Sequence, residues 1–575
     1  MQVVRVLPDV PAIAKTFDYL VPDAFRDQVR VGDVVRIELH GRRVGGWVVA
    51  VDVDPPEGVA LRPLAKRSGL GPTPELIDLA HWAAWRWAGR PASLLKTASP
   101  ERIVASLPVS RPTRAPEAPI GPVLAAALVD GRAVVRLPPG ADLANVAAVV
   151  AARGNALIVC PSVAMAGAIT TRLRRSGVVV ASHPADWAIG ASGATVIGAR
   201  AAVWAPVGEL AAVLVLDEHD EAHQQEQAPT WHARDVAIER AARAGVPCIL
   251  TSPCPSLEAL AWGNLHVPAR ARERSGWPAV EVVDRRDEDP RTAGLLSPAL
   301  ARLLRSDRRV LCVLNRTGRS KLLACGSCNE LARCSRCEAA VEQPAEELTC
   351  RRCGATRPVV CLHCGAARFK NVRAGVTRVR EELEALIGEP VTELTAASGP
   401  DAATGRVVVG TEAVLQRIGR ADAVAFLDLD QELLAPRYRA AEQALALVAR
   451  AARVVSTSGT NPGRGGGLLL LQTRSPEHEV VRAAVHADPA LVRDAERARR
   501  ELLRLPPVTA MAEVSGAAAG GFIELLGQPV GVEVASISEG RWLLRAPDHQ
   551  VLCDALASTP RPSGRLRIEV DPLRT

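Results

Sequence analysis

The sequence predicts a multidomain α/β protein, and three observations predict it. Between 123 and 475, short and wholly apolar runs alternate with amphipathic stretches, the pattern of parallel sheets covered by helices on both faces. Residues 1–105 are instead rich in β-branched runs around glycine turns, which predicts a β-rich domain. Eight of the thirteen cysteines crowd between Cys325 and Cys364 as four Cys-x-x-Cys pairs, interrupting the second α/β stretch. A chain of 575 residues has room for three to five such units.

Taken in order, VRVGDVVRIEL and RVGGWVVAVDV carry the N-terminal alternation of apolar and polar residues, followed by a helical stretch at 75–97. Residues 106–122, SLPVSRPTRAPEAPIGP, are proline-rich without periodicity and read as a linker. NALIVC, GATVIGA, LAAVLVLDE and VPCILTS are the strands of a first α/β unit assigned to 123–305. RRVLCVLNRTG, GRVVVGTEAVL and ADAVAFLDLDQ belong to a second at 306–475, with the cysteine segment 321–370 inserted into it. A helix, PALVRDAERARRELL, opens a C-terminal α+β domain at 476–575, and GTNPGRGGG at 459–467 reads as a loop.

No apolar run approaches the roughly 18 residues that span a membrane. The N-terminus lacks a basic stretch followed by an apolar core, so a cytoplasmic location is expected. Disulfides are rare there, which turns clustered cysteines toward metal binding. Each Cys-x-x-Cys presents two thiolates, and two pairs complete a closed tetrahedral site, the arrangement of structural zinc. Two Zn2+ ions are therefore expected. Twelve residues lie between Cys337 and Cys350, enough for a hairpin. This favours Cys334, Cys337, Cys350 and Cys353 around one ion and Cys325, Cys328, Cys361 and Cys364 around the other, with sequential pairing left open. Arg333, Arg336, Arg351 and Arg352 lie among the ligands, placed to offset the thiolate charge or to face nucleic acid.

The net charge of +7 permits a polyanion partner without requiring one. Aromatic residues are only 3% of the chain, so extended base stacking is not the theme. In KTFDYL, Phe17 and Tyr19 flank Asp18. They could grip a terminal base and its hydroxyl, or simply alternate into a core with Asp18 outward. VLVLDEHDEAHQQE ends a strand on Asp217 and Glu218, the positions of the two acids that hold magnesium and position water in nucleotide-driven motors. The phosphate cradle such a motor needs, G-x-x-x-x-G-K-[ST], occurs nowhere. Its expected place reads VVRLPPGADLANVA, where Pro138 and Pro139 lack amide donors and no lysine follows Gly140. Tight binding of ATP and Mg2+ is therefore not expected.

The order of these parts resembles the primosomal protein N′ (PriA) replication-restart family over nearly the whole length. TFDYLVP is similar to the opening of that family's 3′-DNA-binding domain. VIGARAAVWAPVGELAAVLVLDEHD is similar to its strand and acidic box. HARDVAIERA, SPCPSLEAL, VLNRTG, the four cysteine pairs, VVVGTEAVL, LDLDQELLAPRYRAAEQ, LQTRSPEHEVV and IEVDP continue in family order. The resemblance implies a 3′-DNA-binding domain at 1–105, two RecA-like helicase lobes carrying a two-zinc insertion, and the nested cysteine pairing. It also implies a 3′-end pocket formed by Phe17, Asp18, Tyr19 and Gly41.

The sequence departs from the family at the phosphate loop, in the box (DEHD), in SPCP at 252–255, and in ARAARVVS, which keeps Arg450 and Arg453 but no glycine. The 106–122 linker is too short for the family's winged helix. The expectation is a restart factor that recognises branched or forked DNA and promotes reloading of the replication machinery, without helicase activity and with no catalytic set. Its implied partners are primosome and helicase-loading proteins and single-strand DNA-binding protein. The alternatives are an active 3′–5′ helicase with a non-standard phosphate loop, or a protein–protein adaptor without DNA binding.

Overall fold

The computed structural model of the chain describes residues 2–573 except 11–12, 14, 55–57, 59, 112, 115, 289–294, 316–322, 329, 344–345, 372–375, 395–397, 400–403 and 457–465. Most of GTNPGRGGG and the end of VLNRTG lie outside the described residues.

Strict alternation builds the N-terminal sheet. Val4, Val6, Val35, Ile37 and Val48 are fully buried, whereas Arg36 and Glu38 between them are exposed. The five antiparallel strands run in the order Phe17–Leu20, Val3–Pro8, Arg42–Val51, Val34–Leu39, Lys66–Gly69. His40 and Gly41, at φ 49° and 76°, form the two-residue turn between Val34–Leu39 and Arg42–Val51. Two successive left-handed residues match the right-handed twist of a hairpin. On the other face, Leu7 and Trp47 pack with the helices Pro74–Arg86 and Pro91–Ala98, and the Trp47 indole donates to Ser99 Oγ at 2.8 Å.

Two parallel sheets follow. The first has seven strands, Asn264–His266, Arg132–Arg136, Cys248–Ser252, Leu210–Val215, Asn155–Val159, Thr195–Gly198 and Val180–Ser182 in spatial order. The second has six, Ala279–Asp284, Leu468–Thr473, Ala423–Phe426, Val310–Val313, Val407–Gly410 and Thr392–Leu394. The apolar runs are central strands here, buried on both faces as such sheets require.

Two boundaries differ from the sequence reading. Ala279–Asp284, expected in the first unit, pairs with Leu468–Thr473, so the second sheet begins before residue 306. Helix Glu479–His486, expected in the C-terminal domain, packs Val480, Val481, Ala483 and Ala484 into the core of the second sheet. The partners of both elements are set by distant pairing. The cysteine segment leaves after Val310–Val313 and returns before Val407–Gly410, which are neighbours in the second sheet. A four-stranded antiparallel sheet, Glu533–Ser538, Arg541–Ala546, Ala510–Ser515 and Arg567–Val570, closes the chain. Its helix His549–Ser558 lies against Pro74–Arg86, where Cys553 Sγ donates to the Arg86 carbonyl at 3.1 Å. No described helix is long and apolar enough to cross a membrane.

Candidate functional site

The four cysteine pairs fold by one local rule. In each, the backbone N–H of the first cysteine donates to the carbonyl five residues on: Cys325 to Glu330, Cys334 to Ala339, Cys350 to Ala355 and Cys361 to Ala366, all at 2.8 Å. In three pairs the residue after the second cysteine is left-handed (Glu338, Gly354 and Gly365 at φ 60°, 71° and 76°) and donates back to the first cysteine's carbonyl. This tight loop turns both thiols to one side. Leu323–Cys325 then pairs with Phe369–Asn371 and brings the first and fourth pairs together, while the bridge between Glu342 and Thr349 joins the second to the third, whose loop is closed by the hairpin Glu347–Thr349 with Thr356–Pro358.

The structure gathers Cys325, Cys328, Cys361 and Cys364 into one set and Cys334, Cys337, Cys350 and Cys353 into another, with sulfurs inside each within 4.8 Å of one another. Cys325–Cys364 and Cys337–Cys350 stand at 3.5 Å, and Cys328–Cys361 and Cys334–Cys353 at 3.6 Å. A disulfide needs about 2.05 Å. A tetrahedron with metal–sulfur bonds of about 2.3 Å has an edge of about 3.8 Å. Each set could thus hold one tetrahedral metal ion.

The two sets differ in surroundings. The 334/337/350/353 set shares a core with Tyr438, Leu503, Leu505 and Met511, whereas in the other set Cys364 is exposed beside Leu362, itself 63% exposed. The arginines between the ligands are not all turned toward solvent. Arg352 is buried, donating to the Tyr438 carbonyl at 3.1 Å and to Glu496 at 3.4 Å. Arg333 donates to Ser475 Oγ at 2.9 Å, whereas Arg336 and Arg351 are exposed, Arg351 pairing with Glu342 at 2.8 Å.

In the N-terminal sheet, Tyr19 is 4% exposed and Phe17 packs half-buried against the same core. The Tyr19 hydroxyl donates to the Glu38 carbonyl at 3.0 Å, near the turn that carries Gly41. Asp18 points to the opposite face and accepts two hydrogen bonds from its cross-strand partner Arg5, at 2.8 and 3.1 Å. The strand therefore alternates its aromatic pair inward, with Tyr19 buried and Phe17 half-buried. A Cβ built on Gly41 would meet nothing within 4 Å, so that turn borders open space. Beyond it, the exposed Arg36, Arg42, Arg43 and Lys66 sit on adjoining strands, with Arg36 directly opposite Lys66.

The loops at the carboxyl ends of the first sheet's strands form the cleft where open α/β sheets bind ligands. Asp217 stands there in a left-handed conformation (φ 49°), nearly fully buried. Its carboxylate is clamped by both terminal nitrogens of Arg453, one at 2.8 Å, from helix Ala440–Ser456 of the second lobe. Arg453 Nε also donates to the Pro139 carbonyl at 3.2 Å, and Arg450 one turn earlier pairs with Asp220. Burial alone would raise the Asp217 carboxyl, but the charge and hydrogen bonds of Arg453 outweigh it and hold it down at about 2. Glu218 is sealed separately: it accepts from Ser256 N and Oγ, each at 2.8 Å, and from Arg234 at 3.2 Å. Both acids expected from the sequence are thus in the cleft, and each is already bonded to protein.

Sequence reasoning named Arg450 and Arg453 without their acidic partners, and missed Arg234 on Glu218. Their signal was faint: Arg450 and Arg453 repeat at the three-residue spacing of Asp217 and Asp220. It also missed Arg500, fully buried and bonded to Glu442, to Glu258 and Glu496 at 3.0 Å each, and to the Pro506 carbonyl.

The family model described as PriA 3′DNA-binding domain (3′BD) matches residues 5–100. The chain is 31% identical over 569 residues to the probable replication restart protein PriA of Mycobacterium tuberculosis, covering 88% of this chain and 86% of that protein. It is 31% identical over 578 residues to that of Mycobacterium leprae, covering 90% and 88%. It is also 31% identical over 344 residues to the replication restart protein PriA of Treponema pallidum, covering 54% and 50%. Matches of this identity across nearly the full length, with the 3′DNA-binding domain at the N-terminus, show that the chain belongs to the PriA replication restart family.

Proposed function

We propose that this protein is a replication-restart factor that recognises branched DNA at stalled forks and promotes reloading of the replication machinery without a nucleotide-driven motor of its own. The 3′DNA-binding match at residues 5–100 supports fork recognition. The observation that carries the motor-free part is the Arg453 clamp on Asp217 above a phosphate-loop position that offers Pro138 and Pro139 instead of amide donors and a lysine. Asp217 and Glu218 are then relics of a magnesium site.

Each cysteine set holds a Zn2+ ion in this reading, because four thiolates in a closed tetrahedron suit structural zinc. The ions tie the four loops together in nested order and take no part in a reaction. The exposed 325/328/361/364 end is free to meet primosome and helicase-loading proteins or single-strand DNA-binding protein. Arg36, Arg42, Arg43 and Lys66 supply phosphate contacts that position the N-terminal domain without reading sequence, and the turn at Gly41 borders the place of a 3′ end near Phe17, Asp18 and Tyr19.

Fluorescence anisotropy with forked and blunt duplexes tests the reading. Forked DNA should bind more tightly. Four phosphate contacts should weaken binding about a hundredfold between 50 and 200 mM salt. Equal binding to both duplexes would remove fork recognition, and no binding to either would leave the adaptor reading.

A further inference from the structure

In nucleotide-driven proteins of two lobes, the phosphates and their metal bridge the lobes, so closure follows nucleotide state. The bridge here is made of side chains. Asp217 and Asp220, three residues apart at the end of a strand in the first sheet, meet Arg453 and Arg450, three residues apart on one face of a helix rooted in the core of the second. Residues i and i+3 on a helix share a face, so both contacts form together. Arg453 touches the Pro139 carbonyl as well as Asp217, and so links the phosphate-loop position to the metal-binding acid with one guanidinium. The Arg453–Asp217 contact is two-dentate and largely desolvated, since the Asp217 side chain is 4% exposed and that of Arg453 25%. A cation arriving at Asp217 would have to displace a cation already bonded there.

We propose that Arg450 and Arg453 form a latch that holds the two parallel-sheet lobes closed in the absence of nucleotide, Arg453 taking the bridging place of a metal–phosphate group. Closure is then constitutive, and the protein meets DNA with its lobes in one fixed arrangement. The inference rests on the motor-free reading above.

Hydrogen–deuterium exchange on the full-length, metal-loaded chain tests it. In the wild type, exchange over 213–220 and 447–455 should be the same with and without a saturating non-hydrolysable ATP analogue and Mg2+. In Arg450→Ala/Arg453→Ala it should rise about tenfold in both segments, while strands 3–8 and 510–515 keep their wild-type exchange as evidence of folding. Asp217→Asn, which preserves shape, should give the same rise over 447–455 if the double variant fails to fold. The charge-reversed pair Asp217→Arg/Arg453→Asp should slow exchange again. Wild-type exchange in the double variant and in Asp217→Asn would overturn the latch, as would slowing of wild-type exchange by the analogue. ATP turnover by the wild type, in contrast, would end the motor-free reading and leave the exchange result to judge the latch on its own.

Discussion

The cysteine segment and the interlobe cleft are both built from loops between the strands of parallel sheets, yet they treat their donor atoms in opposite ways. The cysteine segment gathers eight sulfurs into two sets, at 3.5–3.6 Å across the nested pairs, with no side chain of another residue type hydrogen-bonded to them among the described residues. The cleft bonds each of its two acids to protein, Asp217 to Arg453 and Glu218 to Arg234 and Ser256. A set of residues of the right type is therefore a site only when its donors are left something to bind. The cysteine sets could each hold a metal ion, whereas Asp217 in the cleft is bonded to guanidinium.

The largest expected effect breaks the comparison on the cysteine side. Chelation should unfold 323–364, because structural zinc couples to local folding by about 10 kcal/mol or more. Limited proteolysis should cut there first while both parallel sheets persist. Cys350→Ser should also loosen the C-terminal sheet, since Cys350 shares a core with Leu505 and Met511, whereas Cys364→Ser should stay local. Equal effects from the two variants would contradict the burial difference.

Next in size is the network that joins the two regions. Arg352 between the inner ligands bonds Glu496, Glu496 bonds Arg500, and Arg500 bonds Glu442 and Glu258 beside the cleft. Arg500→Ala strands several buried carboxylates, which should cost about 3–5 kcal/mol and lower the melting temperature of lobes and inner cysteine set together. Separate transitions in calorimetry, with only one moved, would show that the network does not couple them.

The smallest effect concerns pH. The Asp217 carboxyl lies at about 2 in the folded chain, below its ordinary value of about 3.9. A depressed acid contributes stability above its unfolded value and loses it as pH falls toward the folded one. The melting-temperature difference between wild type and Asp217→Asn should therefore stay constant from pH 8 to about 5 and shrink only below about pH 4. A difference that changes between pH 8 and 6 would place another titrating group in the clamp.

Legibility in the sequence followed the range of the forces involved. Cys-x-x-Cys loops close through hydrogen bonds within six residues, so the four knuckles could be read directly. Strand type was equally local: FDYL shows its alternation, and Phe17 and Tyr19 do turn inward with Asp18 outward. What a strand pairs with is not local. AVEVVD is not singled out in the sequence, and only its register with Leu468–Thr473 assigns it to the second sheet. The missing phosphate loop was visible as LPPGADLA, an absence of residue types. Its replacement was not, because Arg453 reaches Asp217 from a helix 236 residues away and nothing in ARAARVVS names its partner.

The central claim is that the cleft has exchanged nucleotide for arginine. Its most direct test is ATP hydrolysis by the metal-loaded chain with forked DNA, beside Asp217→Asn/Glu218→Gln. The account predicts no DNA-stimulated turnover above that variant. Turnover in the wild type that the variant abolishes would contradict it, and would mean that the two acids still serve a magnesium-bound nucleotide.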